Sequence, residues 1–279
     1  MTSTISPITR QRPPRQFDSR ELISVSLQVV QVILIFGIIA WVIYRGAQAM
    51  EYQWQWYRIP QFIFQEIDGA IVFGPLVKGL IETIRLTVIS AILATSIGLV
   101  TAFARLSNSI AGRWIATFYL EAIRNTPLLV QLYLFYFVIA PIFGVDRFWA
   151  AVLCLSFFEG AFAAEIIRGG IIGVQREQYE ASDAIGLNPF DKYSRIVIPQ
   201  ALPLILPPIT GLLISLVKHS AIVSVIAVSE LTTAGMNIIS ETFMAFEIWF
   251  LVAGIYLALT ISLSTGVSMF EKSLEKSKN

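Results

Sequence analysis

Residues Glu180–Pro199 read EASDAIGLNPFDKYSRIVIP, a polar, charged insert between apolar runs too long for ordinary core helices. Its first part, Glu180 to Ile185, is a small-residue helical segment. Gly186 stops that helix, because glycine adopts the left-handed conformation of a position just past a helix end without steric cost. Asn188 and Pro189 restart the chain as N-cap and first helical residue of a second short helix. Ala181, Ala184 and Ile185 share one weakly apolar face, while Glu180 and Asp183 point elsewhere. A helix–glycine–helix unit of this kind can lay its backbone close against a groove on another protein.

The composition around the insert sets the class. The chain of 279 residues is 56% hydrophobic and 14% charged, with a mean hydropathy of +0.70. Soluble domains carry about 25% charged residues, so the polar surface is too small for a water-soluble fold. The net charge of +1 gives no basis for nucleic-acid binding. A single cysteine, Cys154, excludes an internal disulfide and zinc-ligand spacing. The one histidine, His219, excludes multi-histidine metal sites. No phosphate-binding G-x-x-x-x-G-K-[ST] loop occurs, and there is no internal repeat.

In chain order, residues 1–26 form an arginine-bearing polar arm, and 27–44 are an uncharged run long enough to cross a bilayer. A cleaved signal peptide competes there, since Ala47-Gln48-Ala49 mimics a cleavage site. The apolar core is too long and the leading segment far too long for one, so a retained anchor is expected. Residues 45–75 are aromatic and polar, suited to an external or interfacial segment. A transmembrane core then occupies 76–268, with spans expected near Pro75–Ala104, Glu121–Phe143, Trp149–Ile167, Pro199–Val228 and Ile248–Val267. Arg105 and Arg113 fall in a short loop, residues 168–199 are the polar loop, and 229–246 lie outside. Pro199, Pro203, Pro207 and Pro208 predict a broken helix. Residues 269–279 are a solvated, lysine-rich tail. The fold class is therefore all-α integral membrane, with about six spans. Placing both termini in the cytoplasm puts thirteen of the twenty Lys and Arg residues inside and only Arg45, Arg58 and Arg147 outside, as the positive-inside rule requires.

The polar loop resembles the EAA loop of bacterial ABC importer permeases, whose pattern is EAA, three residues, G, nine residues, I-x-L-P. Ser182 stands for the second alanine and Ile198 for the leucine. Arg124–Gln131 (RNTPLLVQ), Ala164–Ile171 (AEIIRGGI), Pro199–Pro203 (PQALP), Lys218-His219-Ser220, Ser229-Glu230-Leu231 and Thr242-Phe243 resemble the polar-amino-acid uptake permeases. The resemblance runs roughly from Pro75 to Gly266. It implies a bacterial inner-membrane subunit that docks an ATPase through Glu180, Ala181, Ser182 and Gly186. The implied partners are a second permease subunit, identical or sister, two ABC ATPases and an extracytoplasmic amino-acid-binding protein, all within the lipid membrane. The chain itself binds no cofactor and is not an enzyme; ATP and Mg act on the partner ATPase. Glutamine-, histidine- or arginine-type substrates, basic ones included, are implied.

Glu159 sits near the middle of its span, where a carboxylate costs about 2.5–3.5 kcal/mol on insertion scales. It is the candidate for the substrate pathway, against a packing role as a hydrogen bond to Ser156 or a backbone carbonyl. Glu165 is expected to pair with Arg168 one turn on. Lys218 and His219 read as caps on the broken helix, Pro127 as a kink or helix start, and Arg124 as structural or pathway-lining. The tryptophans at 54, 56, 114, 149 and 249 suit interfacial anchoring. A self-contained, ion-coupled secondary transporter is the alternative, since such folds also use broken helices and buried carboxylates, but it has no need of the helix–glycine–helix loop.

Overall fold

The computed structural model describes residues 19–49, 52–67 and 69–276. Most of the expected arm, 1–18, and the chain end, 277–279, lie outside the described residues. Two compact units are present, residues 1–54 and 55–279. The first contains α1, Ser19–Ala49, which starts before and ends after the 27–44 run that nucleates it.

The second unit begins with short turns and α2, Pro60–Ile63, then a two-stranded antiparallel hairpin, β1 (Phe64–Ile67) and β2 (Ala70–Phe73), pairing Phe64 with Phe73. The interfacial segment thus carries a small element of sheet on an otherwise helical protein. Pro75, at the first helical position, opens α3, Pro75–Leu106.

One side of α3 is a stripe of small buried residues that includes Gly79, Ser90, Ala94 and Gly98. Gly79 lies beside Leu231 and Ala234, and the stretch from Ser90 to Gly98 packs on α7, Arg147–Ile172, which carries Gly160, Ala161, Ala163 and Ala164 in its own buried set. Lipid tails are as apolar as leucine, so helices in a bilayer associate through close backbone approach at small residues. A Cβ added at Gly98 would lie 2.6 Å from the Ala163 Cβ, and one at Gly160 would lie 2.9 Å from Ile97 Cγ2. Large exposed apolar side chains such as Val88, Ile92 and Val100 line other faces of α3.

Between these helices, residues 110–124 form α4 (Ile110–Arg124), capped by Ser109, which accepts from Gly112 N–H at 3.1 Å. The short loop expected at Arg113 is therefore a helix. Its amphipathic pattern, with Ala116 and Leu120 buried and Trp114 and Phe118 exposed, drives it onto the bundle. The chain then turns by 107° between Ile110–Arg124 and Leu128–Phe143. Pro127 is the N-cap of α5 (Leu128–Tyr133), which continues through a π-turn into α6 (Ala140–Phe143). The buried Gln131 amide holds the bend by donating to Ile123 O at 2.7 Å and Thr126 O at 3.1 Å.

After α7 come α8 (Arg176–Ala184), α9 (Pro189–Asp191) and a π-turn, then α10 (Ile198–His219). α10 corrects the expected break: Pro203, Pro207 and Pro208 lie inside a continuous helix. Each proline removes one backbone hydrogen bond, but unwinding would leave several more groups unpaired where no water can take them, so the helix persists. The break falls at Lys218-His219, where the sequence also placed it: Ser220–Ile226 forms a 3₁₀ segment ending at Ala227 with φ +55. Arg147 Nη1 donates to the Ala227 carbonyl at 2.8 Å there. α11 (Leu231–Thr242) and α12 (Ala245–Lys276) complete the chain. The helix α12 runs on to Lys276, into the lysine-rich tail.

Among the described residues, five helices are long and apolar enough to cross a membrane, six if the bent pair is one span, in line with the six expected.

Candidate functional site

Two features stand out in the second unit: a cleft between α7 and α10, and the loop α8–α9.

The cleft has a volume of about 480 Å³ and is lined mainly by Phe158, Glu159, Phe162, Leu212, Ser215 and His219. Glu159 comes from the middle of α7 and His219 from the last residue of α10, the point where the helix breaks. His219 Nδ1 lies 2.5 Å from Glu159 Oε1. The Glu159 side chain is 3% exposed and the His219 ring 38%. Phe158 meets the imidazole edge-on, with ring centroids 5.8 Å apart and planes at 88°, which fixes the ring's orientation. Ser156 does not serve Glu159; its hydroxyl donates to Val152 O at 2.6 Å within α7. Among the described residues, His219 is the hydrogen-bond partner of the Glu159 carboxylate.

This overturns the reading of His219 as a helix cap. The Ser220 N–H, not a side chain, returns to Leu216 O. Lys218 is exposed, makes no hydrogen bond or ion pair among the described residues, and does not line the cleft. Arg124, at the end of α4, lies 6.0 Å over the Phe162 ring, at the edge of the same cleft. Mostly apolar walls with a few convergent polar groups are the general make-up of a small-ligand cleft.

Glu165 lies further along α7 and does not line this cleft. Arg168 donates to its Oε2 at 2.7 Å, and Arg105 of α3 donates to Oε1 at 3.2 Å. The first pair follows from the sequence spacing; Arg105 does not.

The loop is built as its residues dictate locally. Gly186 has φ +72. Its N–H reaches Asp183 O at 3.0 Å and the Leu187 N–H reaches Ser182 O at 3.1 Å, the paired bonds of a Schellman helix end. Asn188 accepts from Asp191 N–H at 2.9 Å and Pro189 follows it. Ser182 is buried and donates to Tyr179 O at 2.6 Å, while the Tyr179 hydroxyl ties α8 to Ile171 O of α7 at 2.7 Å. Burial raises the Tyr179 pKa above its ordinary value, with Tyr193 adding to the effect, so it remains a neutral donor. Lys192 pairs with Asp183 across the glycine. Glu180 pairs with Arg176 at 2.8 Å, but both are mostly exposed, so that bridge contributes little stability. Ala181, Ala184, Ile185 and Phe190 remain exposed, an apolar surface at the tip of a rigidly tethered unit.

Two buried carboxylates received no role in the sequence reading, although Glu230 lies in one of its motifs. Glu230 caps α11, accepting from Thr232 N–H at 2.7 Å, Thr233 N–H at 2.8 Å and the Tyr256 hydroxyl at 2.8 Å. Burial pushes its carboxyl above the ordinary range, and those donors pull the other way. Glu247, in the first turn of α12, accepts from Gln55 N–H at 2.6 Å. Position at a helix start was the available signal for both.

Comparison with known proteins closes the question of family. Residues 94–276 match the family model of the binding-protein-dependent transport system inner membrane component. The chain is 36% identical to the probable glutamine ABC transporter permease protein GlnM of Bacillus subtilis, over 74% of this chain and 95% of that protein. It is 34% identical to the glutamine transport system permease protein GlnP of Escherichia coli, over 77% and 99%, and 35% identical to the arginine transport system permease protein ArtQ of Bacillus subtilis, over 68% and 87%. Among solved structures it is similar to an amino acid ABC transporter with histidines, at 37% identity and TM-score 0.67, covering 71% of this chain and 94% of that one. The MetNI methionine ABC transporter shares the fold, with TM-score 0.64 at 21% identity. None of these matches favours the secondary-transporter alternative. The chain belongs to the binding-protein-dependent transport system inner membrane component family, as a permease of the polar-amino-acid ABC importer type.

Proposed function

We propose that this chain is the membrane-spanning subunit of an ATP-driven importer that carries polar amino acids by alternating access. The observation that carries this reading is the exposed α8–Gly186–α9 unit, locked to α7 through Tyr179 and presenting Ala181, Ala184, Ile185 and Phe190 outward. Such a unit transmits a push from a docked partner to the spans as a rigid body. The partners are a second permease subunit, two ABC ATPases that bind ATP and Mg, and an extracytoplasmic binding protein. Both termini and the α8–α9 loop face the cytoplasm of a bacterial inner membrane. Relatives named for glutamine and arginine transport support the substrate class. Glu159 attracts the substrate's ammonium group in a low-dielectric cleft, where a charge acts far more strongly than in water.

The test is purification of the tagged full chain in mild detergent, followed by reconstitution in proteoliposomes with the co-purifying ATPase and an amino-acid-binding protein. ATP-dependent uptake of labelled glutamine or arginine is expected, and Glu159→Gln should raise the half-saturating concentration while the complex still assembles. A chain that purifies without an ATPase and supports no ATP-dependent uptake would refute the reading.

A further inference from the structure

We propose that His219 is a specificity-determining residue that shields Glu159 and biases the cleft toward amino acids with neutral side chains over cationic ones. This rests on the transport reading above. The argument begins with accessibility. The two side chains line one cleft, yet the carboxylate is 3% exposed and the imidazole 38%, so an entering solute meets the imidazole first. The Nδ1 contact of 2.5 Å occupies one carboxylate oxygen, and the edge-on Phe158 ring keeps the imidazole in that orientation.

The other cleft walls are apolar apart from Ser215. A bare carboxylate in such a place is a strong attractor for a guanidinium or ammonium side chain. A carboxylate already bonded to an imidazole has less to offer a second cation. A zwitterion with an amide side chain brings only its α-ammonium to the second Glu159 oxygen, which the His219 contact leaves open, and its amide can use the remaining ring nitrogen, Nε2, as its partner. Arg124, over the Phe162 ring at the cleft edge, adds a positive charge that also disfavours cations. The side-chain selectivity of this permease is therefore set by a contact between residues 60 positions apart.

The experiment measures kcat/KM for labelled arginine and glutamine with the full transporter in proteoliposomes, for the wild type, His219→Ala and His219→Asn. The wild type should favour glutamine. His219→Ala uncovers Glu159 and should raise the arginine-to-glutamine ratio at least about tenfold, through a lower KM for arginine. His219→Asn retains an amide donor for Glu159 and should stay near the wild-type ratio. Adding Glu159→Gln to His219→Ala should cancel the gain, which a merely structural role for His219 would not do. An unchanged ratio in His219→Ala, or an equal loss for both substrates, overturns the proposal while leaving the transport reading intact. A wild type that takes arginine as efficiently as glutamine overturns it even if no variant assembles. A wild type that carries no amino acid refutes both readings.

Discussion

Arg105, in the last turn of α3, places its guanidinium 3.2 Å from Glu165 of α7, whose second oxygen is held by Arg168 at 2.7 Å. Among the described residues it is the ion pair that ties these two helices, which also meet through small residues and the Leu86–Leu155 cluster. Its groups are about a quarter exposed, between the surface regime of under about 1 kcal/mol and the buried regime of 3–5 kcal/mol for removing one partner. Arg105→Gln and Glu165→Gln should each cost about 1 kcal/mol, and the double variant no more than the worse single one. Thermal midpoints in detergent check this; strictly additive losses would show that the pair does not couple.

Gly186 has nothing within 4 Å of where a Cβ would stand, so only its backbone angle restricts substitution. A left-handed conformation costs about 1–2 kcal/mol for residues with a Cβ, and most for β-branched ones, whereas asparagine tolerates it. Gly186→Val should therefore lower substrate-stimulated ATP hydrolysis and uptake together while membrane insertion survives. Gly186→Asn should work nearly normally. Normal uptake by Gly186→Val would exclude the loop as the transmitting element.

Gly98 behaves in the opposite way. Its φ is ordinary, but an added Cβ would meet Ala163 at 2.6 Å. Gly98→Ala should destabilise the α3–α7 pair by about 1–3 kcal/mol through overpacking. Gly254 of α12 has open space around it, and Gly254→Ala should be neutral or slightly stabilising. Comparing thermal midpoints of the two variants separates close packing from general helix propensity; equal shifts would contradict the packing account.

The orientation can be read by labelling. In a Cys154→Ser background, cysteines at the exposed positions Gln61 and Ser240 and at the half-buried Gln178 report the two sides. Gln61 and Ser240 should react with an impermeant thiol reagent added to intact cells, and Gln178 should not. Labelling of Gln178 would invert the topology.

Much of this architecture was legible residue by residue. Apolar run length determines the spans, because a bilayer leaves an unpaired backbone nowhere to hydrogen-bond. The helix end at Gly186 and the restart at Asn188-Pro189 follow from local backbone energetics, so three or four neighbouring residues suffice to specify them. Tertiary structure decided the rest. The continuity of α10 through Pro203, Pro207 and Pro208 depends on what surrounds the helix, not on proline's own preference. The helix at 110–124 forms because its apolar face finds a bundle to bury in. The pairing of Glu159 with His219 and of Glu165 with Arg105 joins positions 60 residues apart. Sequence marked Glu159 as a costly charge needing a partner, but any polar residue on a neighbouring helix could have met that need. Only the packing of α7 against α10, through which the break after His219 is delivered to the middle of α7, selects which one does.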